Sequence, residues 1–295
     1  TTDMVVRPQP PAELNEAPQW RAINLPGRGT LQVRDSRGPA GRPVVLLLHG
    51  ATVSADVNWC RSYGPVAERA RVIALDHRGH GRFGLRPDGR VRLEQCADDA
   101  AAVARALEVE RFVAVGYSMG GAIAQLLWRR HPHLVSGLVL CATAMRFRQT
   151  ASEWVDYALV RLGEAPAALF SRRAWPIAER VAAARAPAGA GTGSTPFDEW
   201  ARSEIRAGSL RSVLQASAAC HEFDSSPWVD QVDVPTAVVV CAQDLVVPTA
   251  RQRQLANVIR DATVLEIPAD HLACVTRPTM FLPALDQALT AAISD

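Results

Sequence analysis

Short apolar runs rich in valine and leucine alternate along this chain with stretches whose apolar residues recur at helical spacing. This alternation constrains the fold more than any other feature. Strands separated by helices pair in parallel, and a parallel sheet must be covered on both faces. Trp20–Leu25 and Thr30–Arg34 read as an opening hairpin around Pro26-Gly27-Arg28-Gly29. Val44–Leu48 is continuously apolar, as a strand buried on both faces requires. Val72–Asp76, Phe112–Val115, Leu138–Cys141, Ala237–Cys241 and Val264–Ile267 are the further strands. Leu93–Leu107, Gly121–Arg130 and Phe281–Ile293 carry helical periodicity between and after them. The expected class is α/β, with a mostly parallel central sheet flanked by helices.

Residues 148–228 break the alternation. They hold no convincing strand and read as several amphipathic helices, with Trp154, Trp175 and Trp200 among them. Within them Ala186–Pro196 has neither charge nor a large apolar side chain, the composition of a flexible connection. The expected organisation is a core in two parts, residues 1–147 and 229–295, with a helical cap inserted at 148–228.

Composition removes several chemistries. All 32 basic residues are arginine, so Schiff-base chemistry, a pyridoxal phosphate lysine and a P-loop lysine are excluded. A net charge of +2 gives no reason to expect nucleic acid or an anionic membrane as partner. None of the six cysteines, Cys60, Cys96, Cys141, Cys220, Cys241 and Cys274, forms a C-x-x-C pair, so no zinc site is expected. They read as reduced thiols, and a cytoplasmic location is the expectation. No apolar run is long enough to span a bilayer. Residues 1–20 are polar and Pro-rich without an apolar signal core, and the start at Thr1 leaves room for a removed segment.

Gly116-Tyr117-Ser118-Met119-Gly120 fits G-x-S-x-G. Alone the pattern is weak, since chance supplies it in roughly one chain in ten of this length. Its context is specific: it follows a strand and opens a helix, as a nucleophile elbow does. The serine of such a turn has a strained backbone, and the glycines are there because a Cβ would strike the neighbouring strand or helix. Ser118 is the candidate nucleophile, and the helix behind it directs free N–H groups at the reacting centre.

In this architecture the oxyanion donors are the backbone N–H of the residue after the nucleophile and one from the loop after an earlier strand. That assigns them to Met119 and, in His49-Gly50-Ala51, to Ala51, with His49 structural. The acid and the base follow in the order Asp, then His. Asp244 and His271 each sit just past a strand end, where a side chain reaches the crevice above the elbow. His271 is the candidate general base, and Asp244 the acid that orients it. Asp270 and Asp224 are rival acids. The other histidines lie in a loop, at a helix end or in the cap.

Taken together, His49-Gly50, Asp76-His77-Arg78-Gly79-His80-Gly81, Gly116–Gly121, Asp244 with Val247-Pro248, and His271 resemble the α/β-hydrolase superfamily over about residues 20–295. The resemblance is greatest to bacterial serine esterases and thioesterases with a helical cap. It implies hydrolysis of a small-molecule acyl ester or thioester with an apolar acyl group, through an acyl-enzyme, with no cofactor and no metal. Acyl transfer, cyclisation, carbon–carbon bond hydrolysis and a receptor role use the same framework and stay open. The chain departs from the family pattern at Cys241 and Asp270, where relatives usually carry glycine.

Arg78, Arg82, Arg86, Arg90 and Arg92 crowd one loop. They read either as a steering patch for an anionic acyl thioester or as a solvated loop of an arginine-rich protein. Trp154, Trp175 and Trp200 read either as lining of an acyl pocket or as packing of the cap.

Overall fold

The computed structural model describes residues 8–39, 41–169, 175–180 and 195–293. Eight strands form one sheet: β1 (Trp20–Leu25), β2 (Gly29–Asp35), β3 (Val44–Leu48), β4 (Arg71–Leu75), β5 (Phe112–Tyr117), β6 (Val135–Cys141), β7 (Thr236–Cys241) and β8 (Thr263–Ile267). Their order is β1-β2-β4-β3-β5-β6-β7-β8. The β1–β2 hairpin and its junction with β4 are antiparallel, and every other pairing is parallel. The α/β class with a mostly parallel sheet is therefore observed.

The continuous apolar runs are explained by what covers them. Leu46 and Leu48 of β3 face one core and Val45 and Leu47 the other, as a pleat of period two demands. The first core is closed by α3 (Leu93–Ala106) and α4 (Met119–Arg130). The second is closed by α1 (Ala55–Trp59), α2 (Tyr63–Arg69) and α10 (Pro278–Ala292). Most element bounds differ by a few residues from the sequence-based ones. β5 extends to Tyr117, and α4 starts at Met119, so the strand and the helix leave only Ser118 between them.

Among its described residues, the segment between β6 and β7 is mostly helical. It comprises α5 (Ala151–Leu169), a helix at 175–180, α6 (Pro196–Ala207) and α7 (Leu210–Glu222). Of the proposed connection Ala186–Pro196, residues 186–194 lie outside the described residues. Thr195 begins α6 with a capping box to Asp198, and Ser209 caps α7. A single bridge between Arg146 and Asp224 closes the neck of the insertion. Two short helices that the periodicity does not announce complete the fold, α8 (Thr249–Val258) and α9 (Ala273–Thr276). No helix of the described residues is long and apolar enough to cross a membrane.

Candidate active site

Ser118 sits in the one-residue turn between β5 and α4 with φ 54° and ψ −117°, a conformation that costs an L-residue of order 1–3 kcal/mol. The surroundings hold it there. Its N–H donates to Cys141 O at 2.9 Å, and its carbonyl accepts Gly121 N–H at 2.9 Å and Thr143 Oγ1 at 2.8 Å. The glycines are space requirements: a Cβ on Gly116 would lie 2.2 Å from Gly120 O, and one on Gly120 would lie 2.0 Å from Leu48 O.

The three residues that the sequence singles out meet at the C-terminal ends of the strands. Ser118 Oγ is 3.0 Å from His271 Nε2, and His271 Nδ1 is 2.7 Å from Asp244 Oδ2. The carboxylate only accepts, so the imidazole proton sits on Nδ1 and the Nε2 lone pair faces the Ser118 hydroxyl, which donates to it. Asp244 is buried. The rival acids are engaged elsewhere. Asp270 accepts the Leu272 N–H, and Asp224 pairs with Arg146 and Ser226. Of the two family departures, Asp270 is thus an exposed turn residue, and Cys241 is buried at the end of β7.

Ala51 lines the same cleft as Ser118. Among the described residues, neither the Ala51 nor the Met119 N–H has an acceptor. The Met119 side chain is buried in the core. The loop that carries Ala51 is backed by three imidazoles packed at tilted angles, with ring centroids 4.2 Å (His49–His77) and 5.3 Å (His49–His80) apart. His49 Nε2 accepts the His77 N–H at 2.9 Å, so Nδ1 carries the proton and donates to Gly50 O at 2.7 Å. That carbonyl belongs to the peptide whose N–H is Ala51's, so His49 holds the orientation of the candidate donor. His80 Nε2 approaches Ala51 O at 2.6 Å. Burial, then repulsion among the three rings, keeps His49 neutral and pushes His77 down to about 3; burial also lowers His80.

The cleft measures about 580 Å³. Its apolar wall comes from Val53, Phe147, Leu245, Val246, Leu272 and Val275, and another wall from Glu153 and Asp156 of α5 and Ser217 and His221 of α7. His221, with a buried and unpartnered Nδ1, and the two carboxylates were not singled out in the sequence. Nothing local marks a residue in a helical insertion as facing the cleft. Glu153 is brought down to about 2: burial opposes this, but Arg251 and the N–H groups of Gln149 and Thr150 outweigh it. Among the described residues no group of three or more His, Cys, Asp or Glu side chains is arranged to hold a metal ion.

The geometry bears on the two readings given for the tryptophans and for the loop arginines. None of the three tryptophans lines the cleft. Trp200 packs on Val57 and Cys60, Trp175 packs on Ala167, Leu210 and Val213, and exposed Trp154 lies under the Arg148 guanidinium at 3.5 Å. Packing of the helical segment to its surroundings took these rings. Three of the five loop arginines are paired: Arg78 is buried against Asp99, Arg82 pairs with Glu204, and Arg90 pairs with Glu164 and Glu222. Arg86 and Arg92 are exposed, and none of the five lines the cleft.

The chain is similar to 3-oxoadipate enol-lactonase 2 of Acinetobacter baylyi, with 24% identity over 84% of this chain and 89% of that one. It is similar to a putative carbamate hydrolase of Agrobacterium fabrum, with 26% identity over 87% and 96%. The crystal structure of a hydrolase from Pseudomonas aeruginosa, 25% identical, superposes with a TM-score of 0.78 over 92% of this chain and 99% of that one. A sequence model of the alpha/beta hydrolase fold matches residues 43–278, a span that runs from the first parallel strand past His271. With the eight-stranded sheet and the one-residue turn at Ser118, that match places the chain in the α/β-hydrolase fold family.

Proposed function

We propose that this protein is a serine hydrolase that cleaves carboxylic ester or thioester bonds of small to medium, uncharged acyl substrates through an acyl-enzyme on Ser118. The observation that carries the reading is the hydrogen-bond chain from Ser118 Oγ through His271 to Asp244, with spacings of 3.0 and 2.7 Å, in a cleft of about 580 Å³. In the first half-reaction His271 Nε2 takes the Ser118 proton as Oγ attacks the substrate carbonyl carbon. The negative charge on the carbonyl oxygen is met by the N–H groups of Ala51 and Met119 and by the N-terminus of α4. The tetrahedral species collapses, the carbon–oxygen or carbon–sulfur bond breaks, and the leaving group takes the proton from His271. Water, deprotonated by His271, then releases the acid and restores Ser118. Asp244 keeps the imidazole in the Nδ1–H form and stabilises the imidazolium.

Residues 148–228 act as the cap, supplying one wall of the cleft. The preference for uncharged substrates rests on that wall. Despite 32 arginines in the chain, the described lining holds Glu153 and Asp156 and no arginine. The similarity to an enol-lactonase, named for opening a cyclic ester, agrees with ester chemistry. The test is a series of p-nitrophenyl esters of increasing acyl length, beside an ester with an anionic acyl chain. Ser118-dependent turnover with an optimum at short or medium length, and poor turnover of the anionic ester, is expected. Equal rates for wild type and Ser118→Ala would overturn the reading.

A further inference from the structure

The Asp244 carboxylate takes four donors. Oδ1 accepts the N–H groups of Val246 (2.8 Å) and Val247 (2.9 Å), and Oδ2 accepts His271 Nδ1 (2.7 Å) and Gln252 Nε2 (2.9 Å). The first two belong to Asp244's own turn and move with it. Gln252 stands on a separate element, α8, and is completely buried. Its amide is anchored at three points. Oε1 accepts the Cys241 N–H at 2.9 Å, and Nε2 donates both to Asp244 Oδ2 and to Val247 O at 2.7 Å. A flipped amide would set its NH₂ against the Cys241 N–H and its oxygen against a carboxylate and a carbonyl, so the orientation is fixed by the partners.

A carboxylate rotates easily about its last torsion, which is broad and two-fold. Held only by its own turn, Asp244 would be free to carry Oδ2 away from His271. Gln252 ties that oxygen to the last N–H of β7 and to the far side of the turn. Its neutral amide adds no charge, so the full negative charge of Asp244 remains opposite the imidazole. We propose that Gln252 is a positioning residue: it locks the Asp244 carboxylate so that Oδ2 stays aimed at His271 Nδ1. The inference rests on the reading of Ser118, His271 and Asp244 given above. The end of β7 contributes the Cys241 backbone N–H, which holds the glutamine amide in place.

Gln252→Met and Gln252→Glu in the full chain test this. The readouts are steady-state hydrolysis of p-nitrophenyl butyrate and the downfield proton resonance of the His271–Asp244 hydrogen bond in proton NMR. Methionine keeps the bulk and removes every hydrogen bond. Its kcat is expected to fall about tenfold, the size of one hydrogen bond to a charged group, with KM within about twofold and the resonance shifted or broadened. Glutamate has the nearer shape, and burial beside Asp244 favours its protonated form, which accepts the Cys241 N–H and donates to Asp244 Oδ2. Its kcat is expected to fall less than that of the methionine variant near neutral pH, and to fall further relative to wild type as pH rises and the acid ionises against Asp244. A side chain that merely filled space would give no such pH dependence. Folded variants with wild-type kcat and an unmoved resonance, or a glutamate variant whose kcat relative to wild type does not change with pH, would overturn the proposal. If the methionine variant does not fold, the glutamate variant, which keeps the acceptor for Cys241, decides alone. A wild type without Ser118-dependent hydrolysis would instead overturn the proposed function, and this inference with it.

Discussion

Tyr117 donates its hydroxyl to the backbone carbonyl of His271 at 3.0 Å, so the residue before the candidate nucleophile holds the loop of the candidate base. The ring is buried and meets His271, Trp59 and Phe281 edge-on. Tyr117→Phe keeps the ring and leaves that carbonyl without its donor. A net hydrogen bond is worth about 0.5–1.5 kcal/mol, so kcat/KM should fall about three- to tenfold, with a drop in Tm of a few degrees. Ester kinetics beside a thermal melt check this; unchanged kinetics would mean that the bond does not position His271.

The tight turn at Ser118 depends on two glycines whose added Cβ would lie within 2.2 Å of backbone oxygens. Gly116→Ala and Gly120→Ala should each destabilise the fold by about 2–3 kcal/mol or more, because backbone rather than a mobile side chain must shift. Gly89→Ala is the control: nothing lies within 4 Å of its added Cβ, and its Tm should stay near wild type. Thermal or urea melts of the three variants give the comparison.

Glu153 lies in the first turn of α5 and is held at about 2 against an ordinary carboxylate value of 4.5. Burial opposes ionisation, and the Arg251 guanidinium with two backbone N–H groups overcomes it. A depressed folded-state value means stability that is present above about pH 4.5 and lost as pH falls toward 2. Glu153→Gln should therefore lower Tm at pH 7, and the gap to wild type should close between pH 4.5 and about 2. Melts across that range test it; a constant gap would show that the ionised form is not what stabilises.

Arg78, Arg82 and Arg90 are paired with carboxylates and none of the five loop arginines lines the cleft, so the loop should not draw anions to it. Raising salt should lower kcat/KM for an acyl thioester and for a neutral ester by the same factor. A much steeper salt dependence for the anionic thioester would restore the steering role that the ion pairs of Arg78, Arg82 and Arg90 argue against.

The sheet was legible because strands covered on both faces must be continuously apolar, as Val44–Leu48 is. The turn at Ser118 was legible because its glycines answer to steric limits that act over five residues. Asp244 and His271 were found by order and by their position past strand ends, and the structure brings both to Ser118. What the sequence hid lies in contacts between distant elements. Gln252 reads as one polar residue of an undistinguished helix, and only folding carries its amide to Asp244. Tyr117 fills an unspecified position of its motif, and its partner lies 154 residues away. The tryptophans and the loop arginines stayed open between two readings for the same reason. Composition shows that a ring or a charge is present, whereas Leu210 beneath Trp175 and Asp99 beside Arg78 decide what it does.

The central claim is that Ser118 becomes acylated by way of His271. Intact-mass spectrometry after treatment with a p-nitrophenyl alkylphosphonate, which reacts with activated serine and stays attached, tests it most directly. The account predicts one phosphonyl adduct on wild type, mapped to the peptide containing Ser118. It predicts none on Ser118→Ala, and labelling slowed by several orders of magnitude on His271→Ala. An adduct of equal yield on folded Ser118→Ala, or none on wild type, would contradict it.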